Sequence, residues 1–345
     1  MTQTSILEFS EIVMSIGTQP YDVIIYTDPG SDDLTMLAQV LANKEKFNVL
    51  GVIAGAGNVS LDKTTINCLK LIELTGRKDV KLYKGIPLPT DGTIDIDAIS
   101  AFGESGIGNT VLPEPTTQAE PKPGIDFAVE TIINASRPIT LIASGGLTDL
   151  YYTLNGVKES SAGSLGNINI ISIMGGVFDY QTHANASPWA EFNILFDPFE
   201  SSTVFNLCNK YNLPVLLAPL DLAHTTLFTA KRAAKLEQNG NMLSQVLAKL
   251  VTDVGPWDIA RFGYDENGKP LSPVFDSHAS IPLIHPELYQ GHWASIKVID
   301  EPGETIGKTY YLDDEVKNVF VLQMPVERID IFFDALINDI SVLSS

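Results

Sequence analysis

Short apolar runs alternate with helical patterns along most of this chain, and no other feature narrows its fold as far. The run DVIIYT (22–27) reads as a strand, and DDLTMLAQVLANK (32–44) places Leu34, Leu37, Val40 and Leu41 on one helical face. NVLGVIA (48–54) reads as a second strand and LDKTTINCLKLIELTG (61–76) as a second helix ending at Gly76. Strand, helix, strand, helix in this order signals βαβ units and a parallel sheet. The pattern continues through FAVETIINA (127–135), ITLIAS (139–144), INIISIM (168–174), PFESSTVFNLCNKY (198–211) and PVLLAPL (214–220). HWASIKVID, GKTYYL and NVFVLQM read as shorter late strands, and VERIDIFFDALIND as a closing amphipathic helix. The expected fold is a single α/β domain, residues 20–345, around a mainly parallel sheet flanked by helices, with residues 1–19 as an N-terminal extension.

A length of 345 residues also admits two domains, but α/β enzymes often reach this size as one. The Pro- and Gly-rich stretches 87–95, 111–124 and 265–273 read as loops rather than tethers, and 111–124 as either a lid or a surface excursion. Hydrophobic residues make up 44% of the chain, enough for a large core, while 19% charged residues argue against a long disordered region. The formal net charge is −20 and no run of Lys and Arg interrupts it, which speaks against nucleic acid and against an anionic membrane surface as partners. Cys68 and Cys208 sit in apolar helical patterns and read as reduced core residues; no CxxC or Cys/His cluster offers a zinc site of the usual kind. The start, MTQTSILEFSEIVMSIG, has no basic region ahead of a long apolar run, and no stretch reaches the ~20 apolar residues of a membrane span, so a cytoplasmic protein is expected.

The chemistry concentrates in VIIYTDPGSDD, residues 23–33. An apolar strand runs into Asp28, Asp32 and Asp33, three carboxylates within six residues. In open parallel sheets ligands bind at the carboxyl ends of strands, and Pro29-Gly30 permits a turn that brings these side chains toward one point. Helix capping explains one such Asp but not three. A hard cation explains them better, since Ca²⁺ and Mg²⁺ take oxygen ligands and offset crowded negative charge. Mg²⁺-dependent phosphoryl transfer is a rival here, weakened because Tyr26 stands where that chemistry usually has its nucleophilic Asp. Other strand ends are glycine-rich: Gly55-Ala56-Gly57-Asn58, Ser144-Gly145-Gly146 and Met174-Gly175-Gly176. The segment Asn185-Ala-Ser-Pro-Trp-Ala-Glu191-Phe-Asn193 adds two amides and a carboxylate, groups that read sugar hydroxyls, and Asp276 follows Pro273-Val274-Phe275.

With these residues assembled, the chain resembles the inosine-uridine-preferring nucleoside hydrolase family. The resemblance rests on TDPGSDD (27–33), GVIAGAGNVSL (51–61), LTGRKDVKLYKG (74–85), ITLIASGGLTDL (139–150), IMGG (173–176), NASPWAEFN (185–193), LDLAH (220–224) and VFD (274–276), in the family's order. It implies a Rossmann-like α/β core with Ca²⁺ at the floor of a pocket. Asp28, Asp33 and Asp276 would supply carboxylate ligands and Ser144 a backbone carbonyl, where the family usually has Thr. Asp32, Asn58, Asn185, Glu191 and Asn193 would grip the ribose, with Met174 beside it. Asp28 would be the general base for a water next to C1′. A homodimer or homotetramer is implied as well.

Three positions depart from the family pattern. Tyr26 replaces the first Asp of DxDPG. The loop usually read as HG-D-GLG is Phe102-Gly-Glu-Ser-Gly-Ile-Gly108, and Phe275 stands where a His often precedes the last metal-binding Asp. Phe cannot protonate a leaving group, and the nearest histidines in sequence are His183 and His278. Phe102 and Phe275 are therefore expected to flank a purine base, as aromatic side chains do in the purine-preferring branch, with solvent rather than a histidine protonating it. The functions in contention are a Ca²⁺-dependent ribonucleoside hydrolase, a hydrolase of another ribosyl compound, and a non-catalytic binder of nucleoside or ribose.

Overall fold

In a computed structural model, residues 7–8, 19–87, 98–253, 255–313 and 316–342 are described. Most of the 1–19 extension and of the 87–95 loop therefore lie outside the described residues. The strands are β1 (Leu7–Glu8), β2 (Tyr21–Thr27), β3 (Phe47–Ala54), β4 (Leu82–Lys84), β5 (Ile139–Ala143), β6 (Ile168–Met174), β7 (Val215–Ala218), β8 (Leu227–Phe228), β9 (Ser272–Pro273), β10 (Gln290–Val298), β11 (Thr309–Leu312) and β12 (Val319–Gln323). Ten of them form one sheet in the order β1-β10-β12-β7-β6-β5-β2-β3-β4, with β11 also on β10, while β8 and β9 make a separate ribbon. From β12 across to β4 every pairing is parallel. The β10 strand closes that edge antiparallel to β12, and β11 and Leu7–Glu8 pair with β10 antiparallel.

The central strands β2, β5, β6 and β7 are near-continuous apolar runs because both faces of the sheet are covered there. Val23 and Ile25 point into one core, shared with the helices α1 (Ser31–Ala42) and α2 (Leu61–Leu74); Ile24 and Tyr26 point into a second. That second core is roofed by α4 (Gly124–Ile133), α5 (Thr148–Ser161) and α7 (Pro198–Tyr211), the short helices α3 (Ile99–Phe102) and α6 (Phe192–Phe196) lying at the site. Two short helices, α8 (Pro256–Phe262) and α9 (Ser277–Ser280), precede the closing helix α10 (Ile329–Ser341). Cys68 and Cys208 are free and buried. No helix among the described residues is long and apolar enough to cross a membrane.

The chain leaves β2 toward β3 and β4 on one side, then returns to place β5, β6 and β7 on the other. The switch point lies between β2 and β5, where the two crossovers part and leave a crevice. Asp28 follows β2 and Ser144 follows β5, so both stand at that crevice. The 111–124 segment is a surface excursion pinned to α2: Thr116 and Thr117 donate to the Glu73 carboxylate from backbone and side chain, and Glu120 N donates to Leu82 O.

Candidate active site

The Asp28 carboxylate is seated between two glycines. A Cβ built on Gly57 would fall 1.9 Å from Asp28 Oδ2, and one on Gly145 would fall 2.3 Å from Oδ1. Oδ2 accepts a hydrogen bond from Asn58 N at 2.7 Å. Oδ1 is buried and has no hydrogen-bond partner among the described residues. Burial first, and the Asp33 charge second, push the Asp28 pKa well above the ordinary carboxylate range.

Asp33 is the opposite case, because both its oxygens are fully engaged. Oδ1 accepts from Thr27 Oγ1 and Ser144 Oγ, each at 2.7 Å, and Oδ2 from Gly30 N at 2.9 Å and Asn58 Nδ2 at 3.1 Å. The bond from Gly30 N is a helix-capping contact, so capping does account for one of the three carboxylates. Carboxylate oxygens of Asp32, Asp33 and Asp276 lie within 4.8 Å of one another. Burial, then the neighbouring carboxylates, raise the pKa of both Asp32 and Asp276. Asp32 Oδ1 is a second buried oxygen without a partner. An orphaned Asp32 oxygen among three crowded carboxylates offers the oxygen ligands a hard divalent cation takes. This trio differs from the ligands that the family resemblance implies, since it contains Asp32 rather than Asp28. The Ser144 carbonyl accepts from Asn193 Nδ2 at 2.7 Å.

Above this floor opens one cavity. It is lined by Asp32, Asn58, Ser144, Met174 and Asp276, and by Asn185, Glu191 and Asn193 from the polar segment. The sequence-predicted ribose contacts thus share one space. Glu191 starts α6, with its carboxylate accepting from Asn193 N, Ile194 N and Gly176 N, and burial raises its pKa to about 6. Asn185 Oδ1 accepts from Phe192 N at 2.9 Å, which orients its amide.

Phe102 and Phe275 line the same cavity, joined by Trp257 and Asp258 of α8. No motif in the sequence singles out those last two. They follow Gly255-Pro256, an ordinary helix start, and the packing of α8 on α3 and β9 brings them to the site. Neither nearby histidine lines the cavity. His278 is buried, bonded to Thr226 Oγ1 and Tyr289 OH and stacked on Phe332, while His183 Nδ1 faces His224 Nδ1 at 3.0 Å. Tyr26 is buried in the second core.

The chain matches the family model described as inosine-uridine preferring nucleoside hydrolase over residues 23–331. It belongs to that family. Membership places it among enzymes that hydrolyse ribonucleosides. A Schizosaccharomyces pombe protein described as uncharacterized is 30% identical over 287 residues, covering 83% of this chain and 87% of the relative. The pyrimidine-specific ribonucleoside hydrolase RihA of Photobacterium profundum is 28% identical over 305 residues, 87% and 93% of the two chains. Among solved structures, the purine-preferring ribonucleoside hydrolase from Gardnerella vaginalis superposes with a TM-score of 0.79 at 23% identity, covering 94% of this chain and 99% of that one. A plant nucleoside hydrolase, PpNRh1, gives 0.79 at 22% identity over 93% and 99%. At these identities the superpositions establish the fold alone, a single α/β domain shared with nucleoside hydrolases.

Proposed function

We propose that this nucleoside hydrolase cleaves the N-glycosidic bond of purine ribonucleosides, releasing base and ribose, with Asp28 as general base and Ca²⁺ on the floor carboxylates. The observation that carries the proposal is the unpartnered, buried Asp28 Oδ1 at the sheet's switch point; Asp28 does not itself line the cavity, but Asn58, whose backbone N–H it accepts, does, among sugar-reading amides and carboxylates. A carboxylate with a raised pKa is a stronger base than a solvated one, and an oxygen with no other partner is free to take a proton from water. The family resemblance would put Ca²⁺ on Asp28, Asp33, Asp276 and the Ser144 carbonyl, while the geometry also supports Asp32. When bound, a divalent cation there offsets the crowded charge and lowers the pKa of water it coordinates.

The chain's own groups supply the rest. Asp32, Asn58, Asn185, Glu191 and Asn193 orient the ribose hydroxyls, turning binding energy into position. Met174 lies beside the sugar. As the C1′–N bond lengthens, the ribosyl centre gains positive charge, which the surrounding carboxylates favour. Phe102 and Phe275, now with Trp257 beside them, support a stacked purine; aromatic contact of this kind contributes about 0.5–1.5 kcal/mol beyond burial.

A second reading keeps the chemistry and changes the base. The RihA relatives are named as pyrimidine-specific, which supports pyrimidine nucleosides such as uridine and cytidine as the alternative substrates here. Ribose release from inosine, guanosine, adenosine, uridine and cytidine separates the two. Turnover confined to purines, with KM raised several-fold in Phe275→Ala, supports the first. Preference for uridine and cytidine transfers the proposal to the second. Cleavage of none of the five, with nucleoside still bound, points to another ribosyl substrate or to a non-catalytic binder. A cytoplasmic homodimer or homotetramer belongs to the same proposal, and light scattering on the purified protein tests the assembly.

A further inference from the structure

The cavity presents four carboxylates, and three have duties that account for them. Asp32 and Asp276 crowd each other on the floor, and Glu191 is engaged by three backbone N–H groups. The fourth, Asp258, stands elsewhere. It is 5% exposed, in the first turn of α8, on the wall formed by Phe102, Trp257 and Phe275. A small adjoining cavity shares Asp258 and both Phe side chains, so its carboxyl lies at the seam between the two spaces.

We propose that Asp258 is the catalytic residue that protonates the departing base. The assignment rests on the hydrolase reading above. The C1′–N bond breaks with its electron pair passing into the base, and the Asp258 proton neutralises that charge on a ring nitrogen. Water gives its hydroxyl to C1′ and its proton to Asp28; after product release Asp28 loses that proton to solvent and Asp258 takes one up, which restores base and acid. The position that Phe275 leaves without a donor is thereby supplied from a different element, across the same wall.

The electrostatics agree. Burial holds the Asp258 pKa up at about 7, opposed only by a bond from the Gly255 backbone N–H, so the carboxyl keeps its proton through the slightly acid range. The groups facing it are few. Asp32 and Asp253 line the adjoining cavity, and Glu191 and Asp276 the main one. Arg261, one turn along α8, has its guanidinium over the Trp257 ring and donates to Thr182 O. The neighbouring α3 and β9 carry no charged residue.

The test compares wild type with Asp258→Asn on inosine, uridine and p-nitrophenyl riboside, whose leaving group departs as a stable anion without a proton. General acid catalysis contributes roughly 10²- to 10⁴-fold, so Asp258→Asn should lose that factor in kcat on whichever nucleoside the wild type cleaves, and stay within about threefold on the aryl riboside. The wild-type rate on the nucleoside should also fall above about pH 7, a limb absent in the variant. Equal losses on both substrates, or no loss on the nucleoside, overturn the assignment and leave the hydrolase reading intact. A wild type that releases ribose from none of the three overturns both. Asp258→Ser is read in the same way should the Asn variant not fold.

Discussion

The seat of Asp28 can be disturbed without touching any polar group. Gly57 lies outside the left-handed backbone region, so alanine there brings no backbone strain. Its new methyl, however, would stand 1.9 Å from Asp28 Oδ2 and 2.7 Å from Cγ, where Cβ contacts under 3.0 Å essentially never occur. Relief demands that the carboxylate retreat by about 1.1 Å, and the Asn58 N bond to Oδ2 must stretch or turn with it. A misplacement of about 1 Å costs on the order of 10²-fold in rate. Overpacking of this kind destabilises by about 1–3 kcal/mol, which a protein of this size survives. Gly57→Ala should therefore lose roughly 100-fold in kcat while melting only a few degrees lower. Gly163→Ala, whose methyl would meet nothing within 4 Å, is the control. Steady-state kinetics with the best nucleoside, paired with thermal melts, read both quantities. Gly57→Ala at full wild-type kcat would mean that Asp28 does not need this seat, and the base assignment would fall with it.

Two further outcomes follow from the buried carboxylates. Asp149 is wedged against Gly55 and Gly85, accepts from Ile86 N at 2.8 Å, and is raised by burial to a pKa of about 7. A raised carboxylate favours the folded state while protonated, so its contribution is intact below about pH 4 and is lost as pH climbs through 7. Asp149→Asn keeps the acceptor oxygen and escapes that loss; it should gain up to about 4 kcal/mol on wild type between pH 4 and pH 8, and a constant difference in denaturant melts across that range refutes the assignment. A divalent cation on the floor stabilises by about 2.7 kcal/mol at a hundredfold excess over Kd. Ca²⁺ should raise the melting temperature of wild type and chelator lower it, with both responses lost in Asp276→Asn; a melting temperature indifferent to both would remove the cation site.

Much of this was legible because the parallel sheet writes itself as apolar runs. Every strand that carries a site residue at its end, β2, β3, β5 and β6, finishes in a buried apolar run stopped by Asp, Gly or Ser, and pattern alone locates such stops. What stayed hidden depends on contacts between distant segments. The four donors on Asp33 come from residues 27, 30, 58 and 144, so its role as the satisfied anchor, with Asp28 and Asp32 left holding the free oxygens, is a property of the assembled floor. Asp258 and Trp257 reach the cavity through the docking of α8 on α3 and β9. The 111–124 segment reads as a lid or as an excursion in sequence; the Glu73 carboxylate decides it by gathering Thr116 and Thr117 onto α2.

The most direct test of the account is Asp28→Asn, measured for both nucleoside binding by calorimetry and ribose release. Asn keeps the shape of the seat and removes the base. The account predicts binding within a few-fold of wild type and turnover lower by roughly 10²- to 10⁴-fold. Turnover at the wild-type rate in Asp28→Asn, or a wild type that binds nucleoside and never releases ribose, would contradict it.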